Sequence, residues 1–265
     1  KLAVDNRDDA VVSLGINEGL SRFIALYEIG ARYFCVDVAH GHSKAVGKFV
    51  KLLKATRSDI FIVAGNVCTY AGADYLSGCG ADVIKVGIGP GSVCKTRIAT
   101  GFGVSQFSAI LECARINKPI IADGGIRNGG DAVKAFVAGA SYIMCGGLLA
   151  GTTETPGEII EEPLYDLCDL NMPQVGVRRQ KIFRGMASKE AQEDFMGSMS
   201  EWKTSEGVEI RVPDRGPVSD VVSDLMGGIR SGMTYAGVRT ISELRKPKSP
   251  THSMTQGNLS SAVSV

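Results

Sequence analysis

Six short apolar runs recur along the first 150 residues, at 11–16, 33–39, 60–65, 82–89, 119–123 and 142–146. Between them apolar positions fall into helical spacing, as in Val46, Phe49, Val50 and Leu53 after the N-capping Ser43, and again over 105–115. Apolar strands alternating with amphipathic helices predict parallel strands covered on both faces. Three junctions share a sequence: Gly30-Ala31, Gly80-Ala81 and Gly139-Ala140 each close a helix just before a strand. Polar residues gather after nearly every strand, at Asp37, Asn66, residues 87–94, Asp123 and Gly146-Gly147. That gathering favours an α/β fold of the TIM (β/α)8 barrel type over a doubly wound sheet, because a barrel collects its strand ends on one face. Six units are two short of an eightfold barrel, so the first two βα units are expected to lie before Lys1.

After the sixth run the pattern changes. Residues 152–218 carry Pro156, Pro163, Pro173, Pro213 and Pro217, many charges and little regular periodicity. They predict a long loop excursion from the barrel, of the kind that serves as a lid over a site. Helical spacing returns over 219–233, and the Ser, Thr and Pro of 246–265 predict a flexible tail. The expected organisation is one barrel domain over 1–245, with a catalytic flap at 152–218.

Composition narrows the chemistry. With 265 residues, 44% hydrophobic and 22% charged, the chain is long enough for one large α/β domain. A net charge of +1 without a basic run argues against nucleic acid or an anionic membrane surface as the main partner. The seven cysteines are odd in number, scattered through apolar segments and without CxxC spacing, so neither a disulfide framework nor a zinc site is expected. No apolar run of membrane-spanning length and no signal peptide stands out, and the expected location is the cytoplasm.

One cysteine stands apart from the rest. Residues 85–97 read Lys-Val-Gly-Ile-Gly-Pro-Gly-Ser-Val-Cys-Lys-Thr-Arg, placing Cys94 at the end of a glycine-rich turn directly after an apolar strand. Gly87, Gly89 and Gly91 open turns closed to other residues and expose backbone amides and carbonyls, while Ser92, Thr96 and Arg97 are expected around the sulfur. A thiol among donors and a cation can ionise below its free pKa of ~8.5, and the thiolate is the nucleophile. A second constellation is Asp123-Gly124-Gly125 with Gly146-Gly147. Glycine turns after late barrel strands bind phosphate, and an aspartate at a strand end suits the hydroxyls of a ribose. Beside a nucleophilic cysteine, these features point to a nucleotide whose base is the electrophile. His40 and His42 share a strand-end turn without carboxylates at ligand spacing and are expected to be loop residues.

Together GIGPGSVC with Thr96 and Arg97, IADGG at 121–125, the pair at 146–147, FRGM at 183–186 and LMGGIRS at 225–231 resemble the IMP dehydrogenase/GMP reductase family. The resemblance implies a TIM barrel in which a thiolate adds to C2 of a purine nucleotide and a nicotinamide cofactor exchanges hydride with that carbon. The flap is closer to the reductase branch. Nineteen residues separate Met186 from Glu206-Gly207, the segment 201–207 reads EWKTSEG, and no Arg-Tyr pair of the dehydrogenase kind occurs there. By that resemblance Cys94 is the nucleophile, and Thr96 with Glu206 protonates departing ammonia. Ser92, Asp123, Gly124, Gly125, Gly146, Gly147, Gly185, Met186, Ser205 and Gly207 contact GMP. Asp37 and Lys203 stand near NADPH, and carbonyls of Gly89, Gly91 and Cys94 hold potassium. A homotetramer is implied as well. The alternatives are an IMP dehydrogenase, a flavin-dependent phosphate-binding barrel that would not need Cys94, and a catalytically inactive nucleotide-binding homologue.

Overall fold

A computed structural model describes residues 10–165, 168, 173–197 and 204–245. Six parallel strands, β1 (Val12–Leu14), β2 (Tyr33–Asp37), β3 (Phe61–Val67), β4 (Val83–Val86), β5 (Ile120–Asp123) and β6 (Tyr142–Met144), pair side by side in sequence order. A doubly wound sheet reverses its strand order at a switch point, and this sheet has no reversal. It is a partial TIM barrel with β1 and β6 at its edges. Each predicted apolar run coincides with one of the six strands, β3 running two residues past the end of its run.

Helices α1 (Gly19–Glu28), α2 (Lys44–Thr56), α3 (Tyr70–Gly78), α4 (Thr96–Thr100), α5 (Gln106–Cys113) and α6 (Gly129–Val137) connect them. Ser43 caps α2 as expected, its Oγ accepting the Val46 amide at 3.3 Å. The three Gly-Ala junctions share one geometry. Gly30, Gly80 and Gly139 sit at φ +104°, +106° and +113°, and the following alanine amides reach back five residues to Leu26, Leu76 and Ala135 at 3.0, 3.1 and 3.0 Å. This is the Schellman arrangement, in which a left-handed glycine satisfies the last carbonyls of a helix.

Alternation along the strands divides the sheet into two faces. Phe34, Val36, Ile62, Ala64, Ile84, Val86, Ile120 and Ala122 are buried on the outer face, in the core shared with Val46, Leu53, Leu76, Ile110 and Phe136 of the helices. On the inner face Cys35, Val63 and Val83 form a smaller cluster with Ile121. Two residues further along the same face come Asp37, Lys85 and Asp123, so strand periodicity carries these charges to the carboxyl end of the barrel.

The excursion expected as irregular loop is a folded unit, and this corrects the expectation. Strands β7 (Ile160–Tyr165), β8 (Gln174–Arg184) and β9 (Glu209–Pro213) form an antiparallel sheet in that order, with α7 (Lys189–Met196) between β8 and β9. Most of β8 is exposed whichever way its side chains point, so no period-two pattern marks it in the sequence. Ladders and cross-strand pairs hold it, among them Arg179 with Glu161 at 3.4 Å and Arg211 with Glu162. Helix α8 (Val218–Tyr235) realises the predicted 219–233 segment and packs Gly228 against Gly129 of α6, where a Cβ on Gly129 would lie 2.6 Å from the Gly228 Cα. A short α9 (Ile241–Leu244) follows. Among the described residues no helix is long and apolar enough to cross a membrane. The predicted tail and Lys203 lie outside the described residues.

Candidate active site

Past β4 the chain turns through residues 87–95 and enters α4. Gly87 and Gly89 take positive φ of +147° and +81°, whereas Gly91 serves by its carbonyl, which accepts the Cys94 amide at 3.1 Å. The half-buried Cys94 thiol donates to Thr96 Oγ1 at 3.2 Å, and the Thr96 hydroxyl donates to Glu206 Oε2 at 2.7 Å. A thiol, a hydroxyl and a carboxylate therefore stand in one line, although 110 positions separate Thr96 from Glu206. Backbone pairing brings them together. The Lys95 amide donates to the Glu206 carbonyl at 2.7 Å and the Val208 amide to the Val93 carbonyl at 3.0 Å, an antiparallel bridge with Cys94 opposite Gly207.

The flap turn behind that bridge closes on itself. Gly185 N donates to Val208 O at 3.1 Å, Glu206 N to Ala187 O at 3.2 Å, and the Ser205 hydroxyl to Gly207 O at 2.8 Å. Ser205 and Gly207 thus shape the turn that presents Glu206. Arg97 departs from expectation: its guanidinium donates to the carbonyls of Ile88 and Val104 at 3.3 and 2.5 Å rather than facing the sulfur, because the loop's carbonyls converge on it. It holds the loop in shape.

Four of the other cysteines are poor rivals as nucleophiles. Burial pushes Cys35 and Cys113 up to about 12, with the Asp37 charge adding to the first, and burial also raises Cys68 and Cys145. Thiols so held stay protonated near neutrality.

Beside the cysteine loop lies a cavity of about 520 Å³. Ser92, Asp123, Gly124, Gly125, Gly146, Gly147, Gly185 and Met186, all expected from sequence, line it, as does Gly91. Asp37, Gly89, Cys94, Thr96, Ser205, Glu206 and Gly207 are not in its wall, so the thiol–hydroxyl–carboxylate line stands next to the cavity, adjoining the lining residue Val93. Among the lining residues that sequence reasoning did not assign to the site are Arg127, Phe183, Arg184 and Arg215. The size falls in the range of small-molecule sites, roughly 300–1,000 Å³. Gly147 faces the Ser92 hydroxyl so closely that a Cβ there would collide with it, and Gly124 takes φ +88°.

Asp123 is held from behind. Lys85 Nζ lies 2.6 Å from Asp123 Oδ2 and 2.8 Å from Asp37 Oδ1, while the Asn66 amide donates to Asp123 Oδ2 at 2.9 Å and to Gly87 O at 2.7 Å. Both bonds to Asp123 fall on Oδ2, which orients the carboxylate and leaves Oδ1 for a ligand in the cavity. Burial alone would lower the Lys85 pKa, but the Asp123 and Asp37 carboxylates outweigh it and the ammonium stands above its ordinary value. Lys85 also escaped the sequence reading, although a lone charge inside the run Val83–Val86 is a usable signal. The rings of His40 and His42 lie 6.3 Å apart, and among the described residues no group of three His, Cys, Asp or Glu is assembled to hold a metal.

An in-order parallel barrel sheet with its polar cluster at the carboxyl edge defines a TIM-barrel protein with its site where that class carries chemistry. The IMP dehydrogenase / GMP reductase domain matches residues 3–263, and the chain belongs to that family of purine-nucleotide oxidoreductases. It is 46% identical over 250 residues to inosine-5'-monophosphate dehydrogenase of Aquifex aeolicus, covering 91% of this chain and 48% of the relative. It is 42% identical over 219 residues to GMP reductase of Buchnera aphidicola subsp. Acyrthosiphon pisum, covering 81% and 59%. The chain therefore spans about half the length of the curated relatives it matches. Among solved structures, GMP reductase from Trypanosoma brucei in complex with guanosine 5'-monophosphate aligns with TM-score 0.80 at 38% identity, over 92% of this chain and 50% of the other. Inosine 5' monophosphate dehydrogenase from Legionella pneumophila aligns with TM-score 0.73 at 50% identity, over 89% and 70%. Relatives of both activities are thus similar to it.

Proposed function

We propose that the chain is the catalytic barrel of a GMP reductase, converting GMP to IMP and ammonia. The observation that carries this reading is the Cys94–Thr96–Glu206 line, with bonds of 3.2 and 2.7 Å. In it the thiol proton passes to Thr96 while the Thr96 proton passes to Glu206, leaving a thiolate beside a protonated carboxyl. The thiolate forms a C–S bond to purine C2 as the C2–N3 π bond opens and N3 takes a proton from solvent. Glu206, now an acid, returns its proton through Thr96 to the exocyclic nitrogen, so the C–N bond breaks with ammonia as the leaving group. NADPH, when bound, supplies hydride to C2. Release of IMP breaks the C–S bond and re-forms the C2–N3 double bond as N3 returns its proton to solvent, which regenerates the thiolate.

Other residues bind and orient. Asp123 Oδ1 accepts the ribose hydroxyls, and the backbone amides of Gly124, Gly125, Gly146 and Gly147 receive the phosphate, with Ser92, Gly185 and Met186 around the nucleotide. Exposed at the carboxyl end of β2, Asp37 suits the cofactor's ribose, and Lys203 is the second residue that the family resemblance assigns to the cofactor. Carbonyl oxygens of Gly89, Gly91 and Cys94, hard donors in one turn, suit potassium. A homotetramer is the proposed assembly.

Product analysis tests the reading. GMP with NADPH should yield IMP and ammonia, whereas XMP released from IMP and NAD⁺ would establish the dehydrogenase instead. Binding offers a second test at Asp123. Charge-assisted bonds from its carboxylate contribute on the order of 1.5–3 kcal/mol, so calorimetry on Asp123→Ala should give GMP affinity weaker by roughly 10- to 150-fold. Unchanged affinity would remove the nucleotide from this cavity.

A further inference from the structure

Lys181 sits in the middle of β8 and is 4% exposed, yet among the ion pairs of the described residues it has no carboxylate partner. Its ammonium donates instead to three backbone carbonyls of a single turn: Thr152 at 2.9 Å, Thr155 at 2.8 Å and Thr153 at 3.3 Å. Taking a cation out of water is costly unless polar groups surround it. A ring of carbonyl oxygens that replaces the hydration shell is how proteins hold a bare alkali cation. The same turn carries one more oxygen, the hydroxyl of fully buried Thr152, which has no hydrogen-bond partner.

The position of this turn gives the contact its meaning. It ends the segment that begins at Gly146-Gly147, folded by the Leu149 and Ala150 amides bonding back to Gly146 O at 3.0 and 3.1 Å. Two residues beyond Lys181, on the same face of β8, Phe183 rests on the other end: Cβ atoms on Gly146 and Gly147 would lie 3.8 and 3.5 Å from its ring. The chain past β9 fastens the same turn, with Thr153 N donating to Gly216 O at 2.8 Å and Arg215 N to Gly151 O at 2.9 Å. Lys181 and Phe183 therefore grip both ends of one segment, and residues 183–186 go on to wall the cavity.

We propose that Lys181 is a positioning residue whose ammonium acts as a tethered monovalent cation: the carbonyls of Thr152, Thr153 and Thr155 bind it, docking the flap sheet on the nucleotide cavity. Its effect on GMP rests on the functional reading above; its effect on folding does not. Lys181→Ala removes the equivalent of propylamine and leaves the carbonyls facing a space that propylammonium fits.

The test compares wild type, Lys181→Ala and Lys181→Met in tetramethylammonium chloride, a cation too large for the turn, with added propylammonium or neutral 1-propanol. Both variants should melt about 5–10 °C lower than wild type. They should also bind GMP about tenfold more weakly, since the cavity wall is displaced. Propylammonium should restore both properties in Lys181→Ala but not in Lys181→Met, whose own side chain fills the space, and 1-propanol should restore neither. Equal rescue by 1-propanol, or variants that match wild type, would overturn the proposal. If Lys181→Ala is not recovered folded, refolding with each additive decides: recovery with propylammonium alone supports the tethered cation, and recovery with both or neither refutes it. Wild type that fails to bind GMP would sink the functional reading, while the melting comparison would still decide the role of Lys181.

Discussion

Cys94→Ala should bind GMP with nearly wild-type affinity and lose turnover by about three orders of magnitude or more. The proposed nucleotide contacts lie in the Asp123-Gly124-Gly125 and Gly146-Gly147 turns, which the substitution leaves alone, so ground-state binding should be retained. What goes is the atom that forms the bond to C2. No other cysteine lies in the glycine turn to take its place, and burial raises the thiols of Cys35, Cys68, Cys113 and Cys145, which disfavours their thiolates. Steady-state kinetics beside calorimetry separate the two effects. A variant that keeps even a tenth of the wild-type rate would rule out covalent catalysis at this position, and lost GMP affinity would place Cys94 in binding instead.

The barrel was legible because each of its parts carries a local signal. The Gly-Ala junctions foretold three helix ends, since a left-handed residue is needed where the last carbonyls of a helix must be satisfied. Apolar strands fully covered by helices appear as continuous runs whatever surrounds them. Cys94 and Thr96 were legible for the same reason, standing two positions apart in one glycine turn. Glu206 was not, because its partnership with Thr96 is made by backbone pairing between residues 93–95 and 206–208, for which no periodicity exists. Only the family resemblance reached across that distance. The flap sheet was missed because much of β8 is exposed, and Lys85 and Lys181 were missed for opposite reasons. One is a charge inside an apolar run; the other is a buried charge inside a polar one.

Glu206→Gln should block deamination of GMP far more than it slows hydride transfer starting from IMP. The carboxylate has two tasks in the proposed relay. It receives the thiol proton through Thr96, and it returns a proton to the exocyclic nitrogen, which leaves only when protonated. The first task is common to both substrates, and hydroxide from solvent can replace it, so the variant's deficit with IMP should shrink as pH rises. The second task belongs to GMP alone, and raising the pH makes it harder. The ratio of the two rates should therefore fall well below the wild-type ratio, and fall further in alkaline buffer. Uniform damage to nucleotide binding cannot produce such a divergence, since it would lower both rates together. Single-turnover measurements of ammonia release from GMP and of NADPH formation from IMP and NADP⁺, each between pH 7 and 9, give the ratio directly. Equal losses in the two half reactions at every pH would take Glu206 out of ammonia release and with it the reductase mechanism.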